Sequence, residues 1–493
     1  MPSLSDKAGF LIIANLIKYT IGFMVPIVLV RMLNQHEYGS YQQILLVGTA
    51  LVGIMTLGLP TSIYYFYHHV SAGRRPVLIL QTVVMLAMTG LISGALVYLA
   101  APFLAQRMNN PALTGLFSIY ALYVVFFIAS EHFIHFLISQ NRYRLAVGFE
   151  TGEAILRVGI LFLPLFLGFG LVGLVWATVM YAVLRFTVRT SLILRESNEF
   201  AGQWMTSLFI SEQLRYSFPL FLTSVVGLIG ALLDKAIIAA FFTPVHFAIY
   251  SIGALEIPLD VIFQASVANV LRASLPPLVQ EGNMAEVISI WREAVRKLAI
   301  IILPSFVFLL GFSYDFITLL FTNQYAESVF VFRIYLFLMP FNIFVFSMMP
   351  QVFGKTRINL YIAIGALVSH VALSFLLLWM YGFYGPALAG VIVVLFISIA
   401  YFVITMRLVK VTSVWALLPL ASLLKILTVA ILSLGMAYLV RGSFDAKWID
   451  FMACAVTYSV GFLALATWSG VFTEEDKRLM RRWIAKILPW HTS

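Results

Sequence analysis

Basic side chains interrupt apolar runs of the sequence that are otherwise long enough to cross a membrane. They are Lys18, Arg157, Lys235 and Arg333, and the amide of Asn15 lies one helical turn before Lys18. A charge at membrane depth is costly unless it meets an opposite charge or faces a wet cavity. We therefore predict that these five residues line a central cavity and bind an anionic substrate. For each basic residue, an ion pair with an acid is the alternative.

Acidic residues in two of these runs have the types and spacing of an ion carrier. Glu256, Asp260 and Gln264 recur every four residues, which places them on one face of a helix. Two carboxylates on one face in a low dielectric cannot both ionise cheaply, so one of them can hold and release a proton. Asp234 is a third candidate for ion coupling, and sodium is an alternative to the proton. Pairing with bases on adjacent helices would instead make these acids structural.

A further run carries Glu150, Glu153 and Arg157 at spacings of three and four residues. An acid four residues before a base has the favourable order for an ion pair along a helix. We therefore expect Glu153 and Arg157 to brace the bundle, while Glu150 remains available to line a cavity.

The run before it carries Glu131, His132 and His135. Two histidines three residues apart can contact one metal ion, but the nearby sequence offers no convincing third and fourth ligands. We predict polar packing or cavity lining for these three residues, and no metal site.

The elements that position these side chains are predicted to be membrane-spanning helices. Of the 493 residues, 62% are hydrophobic and 11% are charged, and the mean hydropathy is +0.98. Soluble domains are about 45–50% apolar and about 25% charged, so a soluble enzyme is excluded. At about 20 residues per crossing, we predict an all-α polytopic membrane protein with about fourteen spans, at 8–30, 41–66, 77–101, 112–139, 146–167, 172–192, 214–240, 247–275, 298–320, 328–352, 358–380, 386–408, 418–440 and 449–470.

The basic residues of the connections indicate the orientation of the chain. With the N-terminus in the cytoplasm, 23 Lys and Arg residues fall on the cytoplasmic side and 4 on the opposite side. Arg185 and Arg189 are counted among the 23. Cytoplasmic connections are enriched in Lys and Arg, so we predict an even number of spans with both termini in the cytoplasm.

The two halves of the chain align with each other. Ser118–Arg144 aligns without gaps on Arg333–Asn359, and Tyr38–Tyr41 aligns on Phe247–Tyr250. An offset of six spans gives parallel repeats, between which transporters bind their substrate. We therefore predict an N-terminal lobe at 1–192, a cytoplasmic linker at 193–213, a C-terminal lobe at 214–410 and two further helices at 411–470, followed by a cytoplasmic tail at 471–493.

Three cytoplasmic segments are expected to lie on the membrane surface as amphipathic helices. One follows Asn283, a helix cap with Glu286 three residues later. The second is the linker 193–213. The third is the basic tail, in which Thr473 is the expected cap with Asp476 behind it. Such helices bind the headgroups of anionic lipids.

Several short motifs resemble those of one transporter family. Arg31–Tyr41 is similar to the R-x-L…E-Y-G-x-Y turn of polysaccharide transporters, which are lipid-linked oligosaccharide flippases of the multidrug/oligosaccharidyl-lipid/polysaccharide (MOP) exporter superfamily. Tyr216–Leu220 and Tyr381–Ala389 resemble later motifs in the same order, over about residues 1–410. The resemblance implies a protein of the bacterial inner membrane that carries a polyprenyl-diphosphate-linked oligosaccharide, as used for O-antigen lipopolysaccharide or exopolysaccharide. It also implies alternating access of the two lobes and antiport.

Two other classes of function are alternatives to the flippase. A drug or metabolite exporter of the same superfamily would favour an acidic cavity for cations, whereas the buried charges here include several bases. A membrane glycan polymerase or ligase generally carries a large outer loop, whereas every predicted outer connection has about ten residues or fewer. No G-x-x-x-x-G-K phosphate loop is present, so ATP hydrolysis is not expected. We predict a monomeric transporter without a cofactor or nucleic-acid partner, in contact with membrane lipids and with polysaccharide assembly machinery.

Overall fold

The computed structural model describes residues 4–197, 207–474 and 476–478, and all regular elements in these ranges are helical. The chain divides into two compact units, Met1–Pro258 with Leu360–Val393, and Leu259–Asn359 with Val394–Ser493. The predicted all-α class is confirmed. The lobe boundaries expected at residues 192 and 410 stay a prediction.

The first unit contains the helices of the N-terminal half of the chain and a hairpin from the C-terminal half. Its helices are α1 (Leu4–Met32), α2 (Gln35–Met55), α3 (Leu59–His69), α4 (Arg75–Arg107), α5 (Leu113–Ala129), α6 (His132–Ser139), α7 (Tyr143–Phe166), α8 (Gly170–Ser197), α9 (Ser207–Phe241) and α10 (Pro244–Gly253), with α17 (Arg357–Tyr381) and the start of α18 (Gly385–Leu408).

The second unit contains the remaining helices. They are α11 (Pro258–Gln280), α12 (Met284–Gly311), α13 (Ser313–Phe321), α14 (Ser328–Leu336), α15 (Leu338–Asn342), α16 (Met349–Val352), the rest of α18, α19 (Val414–Leu417), α20 (Leu420–Val440) and α21 (Lys447–Trp468). Here α12 packs against α20, and α20 packs against α21.

The lengths and compositions of the helices are those of a multi-pass membrane protein. Among the described residues, nine helical segments are long and apolar enough to cross a membrane, or up to eleven if each of two bent pairs is one span. One of the nine, Arg357–Leu408, contains both α17 and α18. Each of the fourteen expected spans coincides with one helix or with consecutive helices, although the count of fourteen itself stays a prediction.

Several expected spans are interrupted, and the local sequence explains the interruptions. Between α2 and α3, Leu57 and Gly58 adopt positive φ angles of 50° and 68°, and Pro60 opens the next helix. Between α14 and α16 the chain bends by 49°, and Val345 has a φ of 47°. A β-branched residue is strained in this conformation.

The break between α10 and α11 shows that the predicted proton-carrier face of Glu256, Asp260 and Gln264 is wrong. Residues 254–257 are not helical, so Glu256 lies outside both helices and is exposed. Pro258, the first residue of α11, disfavours helix at the residue before it and cannot donate to a carbonyl of a preceding turn. Glu256 and Asp260 are therefore not on one face of a continuous helix.

A glycine allows the start of α2 to approach α10 closely. α2 packs against α10, and a Cβ atom at Gly39 would overlap the main-chain carbonyl of Pro244. The start of α2 is capped by Asn34, whose side chain accepts from the Glu37 amide while the Glu37 carboxylate accepts from the Asn34 amide. This arrangement fixes where Tyr38 and Tyr41 enter the core.

The expected surface helix after Asn283 is instead the first part of α12. Asn283 does cap the helix, since its side chain accepts from the Glu286 amide at 3.2 Å. Its apolar stripe, however, is buried within the protein: Trp291 is fully buried, donates to the carbonyl of Phe344 at 3.1 Å and stacks on Phe346. Burial of large apolar side chains outweighs lipid contact here.

The expected cap of the C-terminal tail is present. The carboxylate of Asp476 accepts from the amide and hydroxyl of Thr473, and the Asp476 amide donates to the Thr473 hydroxyl. Asp476 also pairs with Arg296 of α12 at 2.8 Å. Residues 479–493 of the expected tail helix, and residues 198–206 of the expected linker, lie outside the described residues.

Candidate functional site

Arg157, on α7, lies among tyrosine side chains from three other helices. The aromatic residues that interact with it electrostatically are Tyr41 of α2, Tyr120 and Tyr123 of α5, and Tyr181 of α8. All four rings are buried, and the guanidinium carbon of Arg157 is 5.9 Å from the centre of the Tyr181 ring. No carboxylate of the described residues forms an ion pair with Arg157. The site is therefore a partly buried cation surrounded by phenol groups.

Lys18 lies on the helix that packs against α7. α1 packs against α7, and the side chain of Lys18 is exposed. Within the part of the chain that the structure describes, Lys18 has no ion-pair partner. Lys18 lies 14 residues after Leu4, the first residue of α1, and Arg157 lies 14 residues after Tyr143, the first residue of α7. The side chain of Asn15 is outside the described residues.

Glu153 does form an ion pair, but with different partners from the one expected. Arg189 of α8 donates from Nε and Nη2 to the two carboxylate oxygens of Glu153, at 2.8 and 2.6 Å. Arg185 donates to Glu131 at 2.8 Å and lies 3.6 Å from Glu153. The planar guanidinium of Arg189 matches the carboxylate with two parallel hydrogen bonds, a geometry that Arg157 on the same helix as Glu153 does not provide.

Main-chain and hydroxyl groups complete this charge network at the break between α5 and α6. Arg189 donates to the carbonyl of Ser130 at 2.8 Å, and Arg185 donates to its hydroxyl at 2.9 Å. Arg185 also lies over the ring of Phe127 at 4.1 Å. The network contains two acids and two arginines, so it is neutral and the positive charge of Arg157 is not compensated by it.

The two histidines are held by main-chain carbonyls. A ring nitrogen of His132 lies 2.9 Å from the Ala129 carbonyl, and one of His135 lies 3.3 Å from the Glu131 carbonyl. His132 is fully buried, and the described residues contain no cluster of three metal-ligating side chains. Glu150, which is half-buried, interacts electrostatically with Tyr64 and His135.

Asp234 is buried in the first unit next to a histidine. Its carboxylate accepts from the amide of Lys235 at 2.8 Å and from the hydroxyl of Tyr250 at 3.2 Å. His370 of α17 interacts with it electrostatically. The sequence indicates Asp234 but does not indicate that His370 lies beside it, because the two residues are far apart in the chain.

Asp260 is buried in the second unit at the bend between α15 and α16. The amide of Asn342 donates to its carboxylate at 2.7 Å, and Gln264 donates to the carbonyl of Asn342 at 3.4 Å. Asn342 is the last residue of α15, immediately before the bend. Carboxylate oxygens are ligands that hard cations prefer. Arg333, which is exposed in the same unit, donates to the hydroxyl of Ser313.

The sequence did not indicate that Arg185 and Arg189 belong to the buried charge network beside Arg157. They were assigned to cytoplasmic connections, whereas the structure buries both within α8. Their spacing of four residues, which puts them on one helix face, was the available signal. The sequence did not indicate that the four tyrosines surround Arg157, because buried tyrosines are common in apolar helices.

Comparisons with known proteins agree with this architecture. The model of a family described as polysaccharide biosynthesis protein matches residues 4–280. No curated protein matches the chain in sequence. A solved structure of the lipid II flippase MurJ in an inward closed conformation is similar at 16% identity, with 94% of this chain and 97% of that chain covered and a TM-score of 0.73.

Multidrug transporters share the fold as well. An inward-facing MATE family transporter of the MOP superfamily is 15% identical, with 81% of this chain and 94% of that chain covered and a TM-score of 0.62. A MATE transporter from Vibrio cholerae is 13% identical, with 83% and 96% covered and a TM-score of 0.53. The TM-scores and the coverage establish a common fold for the chain and these transporters.

Proposed function

Since the chain belongs to the polysaccharide biosynthesis protein family, we propose that it is a transporter that moves a polyprenyl-diphosphate-linked oligosaccharide across the bacterial inner membrane. The glycan would be a repeat unit of an O-antigen or an exopolysaccharide. The fold shared with a flippase and with multidrug transporters supports a carrier function and gives no support to a glycan polymerase or ligase. Both termini would lie in the cytoplasm.

The observation that carries this proposal is the uncompensated charge of Arg157. The neighbouring acids are already paired with Arg185 and Arg189, and the groups around Arg157 are tyrosines. A cation kept at membrane depth without a carboxylate is suited to an anionic ligand. A cationic drug would be repelled by Arg157 and Lys18, so the alternative of a drug exporter is disfavoured.

The chemistry of the site suits a diphosphate. A guanidinium donates two parallel hydrogen bonds to phosphate oxygens, and phenol hydroxyls add further donors without adding charge. In the proposed mechanism, Arg157 and Lys18 hold the diphosphate while the two lobes open alternately to the cytoplasm and to the outside. The sugar residues move with the diphosphate through the cavity.

Two buried carboxylates are the proposed sites of ion coupling. Among the described residues, Asp234 and Asp260 are the acids that the protein buries most completely. Asp234 has a phenol and a histidine as neighbours, whereas Asp260 has amide and carbonyl groups. We propose that ion binding at one or both of these carboxylates drives the return of the empty carrier, in exchange for the substrate.

The proposal is tested by transport in proteoliposomes that contain a fluorescent polyprenyl-diphosphate oligosaccharide. Arg157→Gln is expected to lower the initial rate at least about tenfold, a loss of about 1.4 kcal/mol of transition-state stabilisation. Arg157→Lys should retain part of the rate, because it keeps the charge but loses the bidentate geometry. Arg144→Gln, an exposed change at the start of α7, serves as the matched control.

Two outcomes would contradict the proposal. In one, the wild-type protein fails to move the lipid-linked glycan but exports a cationic dye. In the other, Arg157→Gln and Arg144→Gln transport at the same rate, which would show that the diphosphate does not bind at Arg157.

A further inference from the structure

A groove of about 400 Å³ lies between α7 and α8. Its wall on α7 contains Leu145, Gly148, Gly152 and Leu156, which recur at helical spacing on one face. Leu184 and Val188 of α8 line the other side. Leu145, Leu156, Leu184 and Val188 are each 38–46% exposed, so the groove opens along its side to the surface of the protein.

Glycines create the space in this groove. A Cβ atom added at Gly148 or at Gly152 would have no heavy atom of another residue within 4 Å. Side chains at these two positions would therefore extend into the groove instead of colliding with the protein. The volume is that of a ligand pocket rather than a packing defect.

The polar side chains in the lining of the groove carry no net charge between them and their partners. They are Glu153, Arg185 and Tyr181. Arg185 is paired with Glu131 and lies 3.6 Å from Glu153, and Glu153 is paired with Arg189. Because these charges satisfy one another, the groove does not select for an ion, and its walls suit a hydrocarbon chain.

The groove and the Arg157 site share one side chain. Tyr181 lines the groove, and its ring centre is 5.9 Å from the guanidinium of Arg157. A diphosphate bound at Arg157 would therefore lie one aromatic ring away from the groove. The chain attached to that diphosphate must leave the protein for an apolar medium, since burying it in a wet cavity would forfeit about 0.8 kcal/mol per CH₂ group.

We propose that the groove between α7 and α8 holds the first isoprenoid units of the substrate, and that it lets the rest of the chain pass sideways into the lipid. This inference rests on the proposed function, since it concerns the chain of the lipid-linked glycan. A diphosphate carries more negative charge than the phosphodiester of an ordinary phospholipid, so the positive charge of Arg157 favours a chain that is attached to a diphosphate.

Transport of two substrates tests the groove. Both carry the same diphosphate and glycan, but one has a long polyprenyl chain and the other has two isoprene units. Gly152→Leu is expected to slow transport of the long-chain substrate at least tenfold and to change that of the short-chain substrate less than twofold. Gly159→Leu is the matched control, because it lies on the same helix with equally open surroundings but does not line the groove.

Equal loss for both substrates with Gly152→Leu would overturn the proposal, and so would no loss for either. If the wild-type protein moves neither substrate, the proposed function itself has failed, which is a separate result. Purified protein is checked for an unchanged elution profile and thermal unfolding temperature before transport is compared.

Photolabelling of the wild-type protein gives a test that does not depend on the folding of a variant. A polyprenyl diphosphate with a photoreactive group in its first isoprene units should label α7 within 145–156 or α8 within 181–188. An excess of unlabelled polyprenyl diphosphate should abolish this labelling. Labelling of these segments to the same extent by a phospholipid with a photoreactive acyl chain would show that the groove holds membrane lipid only, and would overturn the proposal.

Discussion

At the scale of single residues, the arginines of the first unit differ by what surrounds them. Arg185 and Arg189 have carboxylate partners, while Arg157 has tyrosines. A paired guanidinium buried in a membrane protein is structural by default, whereas an uncompensated one needs a ligand or water. This difference is why the proposed function rests on Arg157.

Part of this arrangement could be predicted from the sequence. Arg157 and Lys18 stand out because each interrupts an apolar run. The partner of Glu153 could not be predicted, because the sequence shows only neighbours along one helix and Arg189 reaches Glu153 from α8. The role of Arg185 and Arg189 was hidden by their place near the end of an apolar run, where a basic residue is usually counted as cytoplasmic.

Lys18→Ala is expected to stop or strongly reduce glycan export while the protein remains at its normal level in the membrane. The exposed ammonium group has no ion-pair partner among the described residues. Its loss therefore removes a hydrogen-bond donor for the phosphate and breaks no ion pair. Lys18→Arg should retain part of the export. The measurements are export in cells and immunoblotting of membrane fractions. If Lys18→Ala lowers abundance and neutralising an acid restores it, then Lys18 is a structural residue.

Asp260→Asn is expected to abolish transport driven by an ion gradient while substrate binding is largely kept. The carboxylate of Asp260 is buried and held by Asn342, so an isosteric amide preserves the shape and removes the charge. Transport is measured in proteoliposomes under a proton gradient and, separately, under a sodium gradient. Glu256→Gln is the control, since Glu256 is exposed outside α10 and α11. A transport rate that is the same with and without either gradient would contradict the coupling role.

At the scale of helices, hydropathy located the spans but not their interruptions. Each expected span coincides with a helix or with consecutive helices, because about 20 apolar residues are enough to indicate a crossing. The bends at Pro258 and near Val345 depend on local backbone geometry that hydropathy averages away. Pro258 is a sequence signal for the first bend. The positive φ of Val345 could not be predicted from the sequence, since valine rarely adopts this conformation.

The contact between the tail and α12 is expected to weaken in acid. Burial raises the pKa of the Asp476 carboxyl, but hydrogen bonds from Arg296 and Thr473 outweigh it, so the pKa lies below its usual range. A carboxyl of this kind stabilises the folded state above its unfolded pKa of about 3.9, and the contribution is lost as the pH falls through the lower folded value.

Thermal unfolding in detergent tests this expectation. At pH 7, Asp476→Asn should be less stable than the wild type by about 1.5–3 kcal/mol, the usual value of a hydrogen bond to a charged group. The difference should shrink as the pH is lowered toward 3. A difference that does not change with pH would show that the charge of Asp476 has no role in the contact.

At the scale of the whole molecule, composition determined the class of protein and the charge distribution determined the expected topology. The sequence could not predict the two compact units, because the hairpin Leu360–Val393 of the first unit comes from the C-terminal half of the chain. Which helices pack together depends on side-chain shape, and shape is not readable from hydropathy.

The topology is tested with tags inserted at four places. Tags after Asn34 and near Phe444 should face outward, while a tag after Gly73 and one at the C-terminus should face the cytoplasm. Burial of Arg185, Arg189 and Arg296 removes three charges from the cytoplasmic count and leaves 20 against 4, so the expected orientation is unchanged. Antibody access in intact and permeabilised cells makes the measurement. A C-terminus accessible in intact cells would contradict an even number of spans.

Tyr41 and Tyr250 occupy matching positions in the alignment of the two halves of the chain. One interacts with the cation of Arg157, and the other donates to the anion of Asp234. A phenol both donates and accepts hydrogen bonds, so it can serve a charge of either sign. After duplication of an ancestral half, the charged neighbours could therefore diverge to opposite signs while the tyrosine stayed the same. In evolutionary terms, if the two halves are repeats as their alignment predicts, such a tyrosine allows each copy to acquire an ionic partner of its own while the core stays packed.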